Sequence, residues 1–198
     1  MRSLNPRYEA AVAAIDAANG QDPNAVEVRG RLQPLALAHG QLAAEWIGQL
    51  VEGPDDALRL AARAHHLRRW EVRRDSYPAG RPGYLRWRRD QKARHASDVA
   101  GILEACGYDA VEIERVQRLV RREFVEGAQA VEDAACLVFI ETQLGSLAGR
   151  MDHELMIDVI RKTARKMSPA GLALVASIPL ADSELALLGE ALGGAAPD

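Results

Sequence analysis

The residues best suited to chemistry in this chain are histidines set among apolar neighbours. His39 shares a helical stripe with Leu35, Leu42 and Trp46, and His95 lies in line with Val99, Ile102 and Cys106. His65 and His66 are adjacent, so at most one can face the centre of a helical stripe. His66 is spaced with Ala62 and Arg69, and His65 with Leu58 and Ala61. Asp133 is in phase with Leu137, Ile140 and Leu144, while Glu132 faces another way. A carboxylate on an apolar stripe is costly unless it is paired or bound to a metal. Four helices would therefore each project one ligand inward: His39, His66 (or His65), His95 and Asp133. Helical bundles build metal sites in this way, from facing helices. Three imidazoles and a carboxylate suit a divalent transition metal (Mn, Fe, Co, Ni or Zn) better than magnesium or calcium. Each of these residues taken singly also fits a hydrogen-bonded core position. His153, beside Asp152 at a helix start, reads as a surface residue.

Between Arg59 and Arg94 the chain packs twelve Arg and Lys against three acids, a local charge of +9 in a chain of net −3. The remaining residues therefore carry −12. Four of the seven Trp and Tyr (Trp70, Tyr77, Tyr84 and Trp87) fall in the same segment. Guanidinium forks bind phosphate or carboxylate bidentately, and aromatic faces stack on bases or on guanidinium groups. Arg69, Arg73, Arg74 and Arg88 are thus candidates to hold an anionic small molecule, with the four aromatics stacking on its ring or sugar portion. Glu71 is the candidate general base, at the junction of the histidine helix and the basic loop. Surface Arg stems also cover aromatic rings with no ligand involved. The acidic remainder argues against a broad nucleic-acid face. Arg161, Lys162, Arg165 and Lys166 form a second basic cluster, which reads as a solvated face near a helix C-terminus.

The elements that must position these residues are helical throughout, with no convincing strand alternation. Asn5-Pro6 opens a first helix that closes at Asn19-Gly20, and a polar loop follows. Asp16, Asn19, Asp22 and Asn24 read as capping and turn residues. A second helix is expected from about Gln33 to Val51, a third from Asp55 or Asp56 through Trp70, and a fourth from near Tyr84 to Gly107. Two prolines, two glycines and Asp75 keep the stretch from Val72 to Gly83 irregular. Asp109 with Glu112 forms a capping box for the fifth helix. Helices are also expected over about 130–150 and 152–167, from Ser168-Pro169, and from Asp182. The sum is one all-α domain of eight or nine helices over 1–192, with 193–198 as a tail.

Cys106 and Cys136 are too few for a disulfide framework, so free thiols in a reducing compartment are expected. No apolar run approaches a membrane span, and Met1 to Tyr8 lacks the layout of a signal peptide. The expected address is the cytoplasm, and an Ala-rich helical domain of this kind suits a homodimer.

The string His66-x-x-Arg69-Trp70-x-x-x-Arg74-x-x-Tyr77-Pro78-x-Gly80-Arg81-x-Gly83-Tyr84-x-x-Trp87-Arg88 resembles an uncharacterised family known only as a domain of unknown function. Asp16-Ala17-Ala18-Asn19, His95-Ala96, Gly107-Tyr108, Glu132-Asp133-Ala134 and Lys166-Met167-Ser168 extend that resemblance over nearly the whole chain. More distantly, the layout is similar to the HD-domain superfamily of metal-dependent phosphohydrolases. That likeness implies an HD-like helical bundle, with His39 as the early histidine, His66 in the His-Asp pair, His95 as a further histidine and Asp133 as the late aspartate. Leu67 stands where the paired Asp should be, leaving Glu71 or Glu132 to substitute, and another alignment puts Ala135 at the late position. The expected function is metal-dependent hydrolysis of a phosphorylated or nucleotide-like small molecule, with His66 and Asp133 also counted in the catalytic set. A non-catalytic anion-binding module on the same scaffold is the alternative. Some HD-like proteins use iron for oxygen chemistry, a third reading.

Overall fold

The computed structural model describes residues 5–193 of the chain; the expected tail lies almost entirely outside them. Among the described residues the architecture is nine α-helices, three single-turn 3₁₀ segments and one short hairpin. The all-α expectation therefore holds. Among the described residues no helix is long and apolar enough to cross a membrane.

Helix α1 (Pro6–Asn19) starts as its sequence requires, with the Asn5 side chain accepting from the Arg7 amide and Pro at the first position. The polar loop after it is not simply a loop. Strands β1 (Ala25–Val28) and β2 (Arg31–Pro34) pair antiparallel across a two-residue turn at Arg29-Gly30. Both turn residues have positive φ, 50° and 76°, as a tight hairpin of the primed type demands. Four-residue strands are too short for alternation to stand out in a sequence.

Helix α2 (Leu35–Leu50) begins where the Asp22 carboxylate accepts from the Ala36 amide at 2.9 Å. The capping residue thus comes from across the hairpin, rather than from the position preceding the helix. Helix α3 (Asp56–Arg63) is capped by Asp55 and is shorter than its periodicity predicts. After Arg63 the chain tightens into successive i+3 turns, with amides of His65, Leu67 and Arg69 bonding to carbonyls of Ala62, Ala64 and His66. Arg68 then adopts left-handed backbone geometry, φ 52°.

Helix α4 (Gly80–Ala105), about 39 Å long at helical rise, opens four residues before its predicted start and carries Trp87, Gln91 and His95 inward. Helix α5 (Ala110–Arg121) has the complete Asp109/Glu112 capping box that its sequence announces. Helices α6 (Ala128–Ala148), α7 (His153–Ala164), α8 (Pro169–Leu174) and α9 (Asp182–Gly193) complete the set. One apolar cluster joins them, with Ile15, Ile47, Leu60, Leu67, Leu103, Leu119, Leu137 and Leu144 fully enclosed.

The packing of α2 on α3 depends on a missing side chain. A Cβ on Gly40 would stand 2.5 Å from the Arg63 carbonyl oxygen, so only glycine permits this approach. Nothing lies within 4 Å of a Cβ on Gly48 of the same helix. Gly40→Ala should therefore destabilise the protein by about 1–3 kcal/mol through overpacking. Gly48→Ala should stabilise it by about 0.5–1 kcal/mol through backbone entropy. Urea unfolding midpoints of the two variants test this pair of opposite signs.

Candidate functional site

Four of the five histidines meet below one cleft. His39 comes from α2, His65 and His66 from the turn after α3, and His95 from α4. Ring centroids lie 4.0 Å apart for His65–His66, 5.4 Å for His39–His66 and 6.1 Å for His66–His95. Helical phase would let only one of His65 and His66 face inward. Because α3 ends at Arg63 and tightens, both do: all four histidines line the cleft.

The hydrogen bonds assign the protons. His95 Nδ1 lies 2.7 Å from the Leu67 carbonyl and His65 Nδ1 lies 2.8 Å from that of Ala62. A carbonyl only accepts, so both Nδ1 atoms carry hydrogen and both Nε2 atoms are bare lone pairs. Those Nε2 atoms are buried and have no hydrogen-bond partner among the described residues. The Thr142 hydroxyl donates to the Val138 carbonyl at 2.7 Å, and His39 Nε2 lies 3.1 Å from that hydroxyl and 3.3 Å from the Gln143 amide nitrogen. His39 Nδ1 faces His66 Nδ1 at 3.1 Å, a contact in which one nitrogen donates and the other accepts.

Burial holds all four rings neutral. It lowers the pKa of His39 to about 4 and that of His95 to about 3, with the Arg69 charge adding to each. His65 and His66 are pushed well below the ordinary value by burial, then by Arg122 for His65 and by His65 for His66.

This donor set fits a transition metal better than a hard cation. Neutral imidazole is the ligating form, and a ligating ring commonly donates its other nitrogen to a backbone carbonyl, as His65 and His95 do. Two nitrogens each ~2.1 Å from one ion stand roughly 3.0–3.4 Å apart, and the His39–His66 contact matches that spacing. Among the described residues, no three His, Cys, Asp or Glu side chains form a ready ligand set. The same 3.1 Å is also a hydrogen-bond distance between the two rings.

Of the three candidate carboxylates, Glu132 lines the cleft but is paired with Arg122, and Asp133 and Glu71 lie elsewhere. Asp133 is buried, but its oxygens accept from the Ser168 amide (2.8 Å), the Ser168 hydroxyl (2.5 Å) and Gln129 (2.9 Å). It ties α6 to the start of α8, where a Cβ on Gly171 would meet it at 2.7 Å. Glu71 forms an ion pair with Arg94 and is absent from the cleft lining. Leu67, where the HD pattern has its aspartate, is fully buried in the core while its carbonyl receives His95.

Above the histidines the cleft divides into two lobes of about 1040 and 970 Å³, which share His39, His66, Arg69, Arg74, Gly80 and Gln143. The first is walled by Trp70, Arg73, Tyr77 and Trp87. Its irregular segment is stitched to α4 by Trp87 and Gln91 donating to the Val72 carbonyl and by Tyr77 donating to Asp90. Arg73 is paired with Asp75, and Arg74 donates to the Tyr77 and Gly80 carbonyls. Arg69 stacks on Trp87 at 4.5 Å, and burial lowers its pKa to about 10. Of the predicted anion-binding arginines in this lobe, Arg69 and Arg74 are free of carboxylates among the described residues, and Arg74 spends its donors on backbone carbonyls.

The second lobe is lined by nine Arg and Lys against two acids. Tyr84 and Arg88 stand here, the guanidinium 5.8 Å from the ring. Sequence reasoning missed Lys92 and Arg122, and it assigned Lys162, Arg165 and Lys166 to a solvated face. Their distance along the chain hid their convergence. Burial, then the Arg122 charge, lowers Lys92 to about 8. Cys136 also lines this lobe, with its thiol raised to about 12 by burial, and so it stays protonated. His153 pairs with Glu190 on the surface, as expected.

A family described as Domain of unknown function (DUF4202) matches residues 9–188. The chain belongs to that family. No curated protein and no solved structure matches it.

Two outcomes follow from this geometry. Above pH 6.5 the histidines are neutral whether folded or unfolded. As pH falls below that, the unfolded chain takes up protons that the folded one refuses. Metal-free protein should lose stability between pH 6.5 and about 4, by up to about 1.4 kcal/mol per pH unit per histidine. Denaturant titrations across that range will show a flat profile if the rings are not buried neutral. Asp133→Ala should cost about 1–3 kcal/mol by stranding the Ser168 donors, while metal content and anion affinity stay at the parent level. Loss of metal from a folded variant would instead make Asp133 a ligand.

Proposed function

We propose that this protein is a metal-dependent hydrolase of a phosphorylated or nucleotide-like small molecule. The observation that supports it is the cluster of neutral imidazoles, with unpartnered buried nitrogens, at the base of a strongly basic cleft. His39, His66 and His95 would hold the ion, with His65 as a fourth imidazole within reach. Such a set favours zinc, nickel, cobalt or iron, with manganese less suited for want of a carboxylate. When bound, the metal would lower the pKa of a coordinated water and polarise the scissile group.

The chain's own residues would do the rest. Arg69, held over the Trp87 ring, would bind the anionic group, and Arg88 would offset charge developing on it. Trp70, Tyr77 and Tyr84 would contact an aromatic or sugar portion. Because Glu71 is turned to Arg94, a neutral imidazole facing the cleft would be the proton acceptor. The scaffold's likeness to HD-type domains belongs to this proposal, as do a cytoplasmic address and a homodimer.

One observation favours a second reading, a non-catalytic anion-binding module. The acids that line the second lobe, Glu132 and Asp158, are both ion-paired, and neither Glu71 nor Asp133 lines the cleft.

Elemental analysis of protein purified without chelator should find about one divalent ion per chain, and His66→Ala should lose it. Metal-dependent phosphate release from a panel of sugar phosphates and nucleotides should accompany the ion. Protein with no stoichiometric metal, and no thermal stabilisation by zinc, nickel, cobalt, iron or manganese, overturns the hydrolase. Metal-independent stabilisation by phosphorylated ligands without turnover establishes the binding module.

A further inference from the structure

The second lobe holds more unpaired positive charge than one phosphate group would balance. On α4, Arg81, Arg88 and Lys92 recur at intervals of seven and four, along one face of the helix. From Arg81 to Lys92 that row extends about 16 Å. Lys162 of α7, with Arg165 and Lys166 just past the end of that helix, reaches the same lobe. Its two acids are already engaged, Glu132 with Arg122 at 2.5 Å and Asp158 with Lys162. Arg81, Arg88, Lys92, Arg165 and Lys166 are left without a carboxylate partner among the described residues, as are Arg69 and Arg74.

A phosphate monoester carries about −1.5 to −2 near neutral pH, so one group leaves most of these cations unbalanced. Holding like charges together without a counter-charge costs stability, which a polyanionic ligand would recover. The lobe's volume of about 970 Å³ suits a nucleotide-sized molecule. We infer that the site takes a small molecule with at least two phosphate groups, one beside Arg69 and the histidines, the other between α4 and α7 at Arg88, Lys92, Arg165 and Lys166. This rests on the anionic-ligand half of the proposed function and is independent of the metal.

The test is calorimetric titration of the full chain in chelator, at one fixed ionic strength, with orthophosphate, tripolyphosphate and a short single-stranded oligonucleotide. Tripolyphosphate should bind on the order of 10²-fold more tightly than orthophosphate, because its linked groups occupy both positions at once. Arg165 and Lys166 are exposed and their side chains make no hydrogen bond among the described residues, so the double variant Arg165→Ala/Lys166→Ala should fold normally. It should lose about tenfold in tripolyphosphate affinity and keep its orthophosphate affinity within about twofold. Equal affinity for the two phosphates, an unchanged tripolyphosphate affinity in the variant, or tighter binding of the oligonucleotide would each overturn the inference. Chelator is present throughout, so a protein that never binds metal can still pass this test, and a metalloenzyme can fail it.

Discussion

Everything at the base of the cleft depends on how closely α2 can approach the end of α3. Gly40 lets the Arg63 carbonyl come within a distance that no side chain would allow. The helix stops there and the chain turns sharply under α2. The turn is then held from several directions. Asn19, fully buried at the end of α1, accepts from the Arg68 amide, and Asp16 pairs with Arg63. His65 donates to the last turn of α3, and His95 donates from α4 to Leu67 within the turn itself. Four elements thus converge on five residues, and two of those five are histidines.

That geometry has an electrostatic consequence. The buried rings cannot carry charge beside Arg69 and Arg122, so they are neutral, and in His65 and His95 a backbone hydrogen bond fixes which nitrogen is bare. Lone pairs are therefore collected in a region otherwise crowded with positive charge. The cluster can accept a proton or coordinate an ion, and the cations around it can bind an anion. The carboxylates in and around the site are already committed to other partners. Asp133 is committed to the start of α8, Glu71 to Arg94, Glu132 to Arg122 and Asp158 to Lys162. An uncompensated basic cleft over neutral imidazoles is the result.

Some of this was legible residue by residue. The caps at Asn5, Asp55, Asp109, Asp152 and Ser168 announced helix starts that the structure has. The inward phases of His39 and His95 were also correct, because both lie within long regular helices where 100° per residue holds. His65 and His66 defeated the same reasoning, because it extended α3 past Arg63 at constant phase. Asp133 was correctly read as buried and in need of partners. Its partners turned out to be Ser168 and Gln129, and nothing in its spacing could distinguish a hydroxyl and two N–H donors from a metal.

Local chemistry written into the sequence therefore determined the all-α class, most helix boundaries, the charge segregation and the family. These depend on neighbours within a turn or two of the chain, where spacing and geometry are tightly coupled. Tertiary structure alone decided that both adjacent histidines point inward and that Asp133 points away. It also decided that Lys162, Arg165 and Lys166, in and just after α7, complete a cleft begun about 80 residues earlier. Such outcomes rest on close approaches like that at Gly40 and on long-range pairings that leave no periodic trace. The physical reason is that a side chain's partner is set by the direction its helix takes through space, and that direction is fixed only when the helices pack.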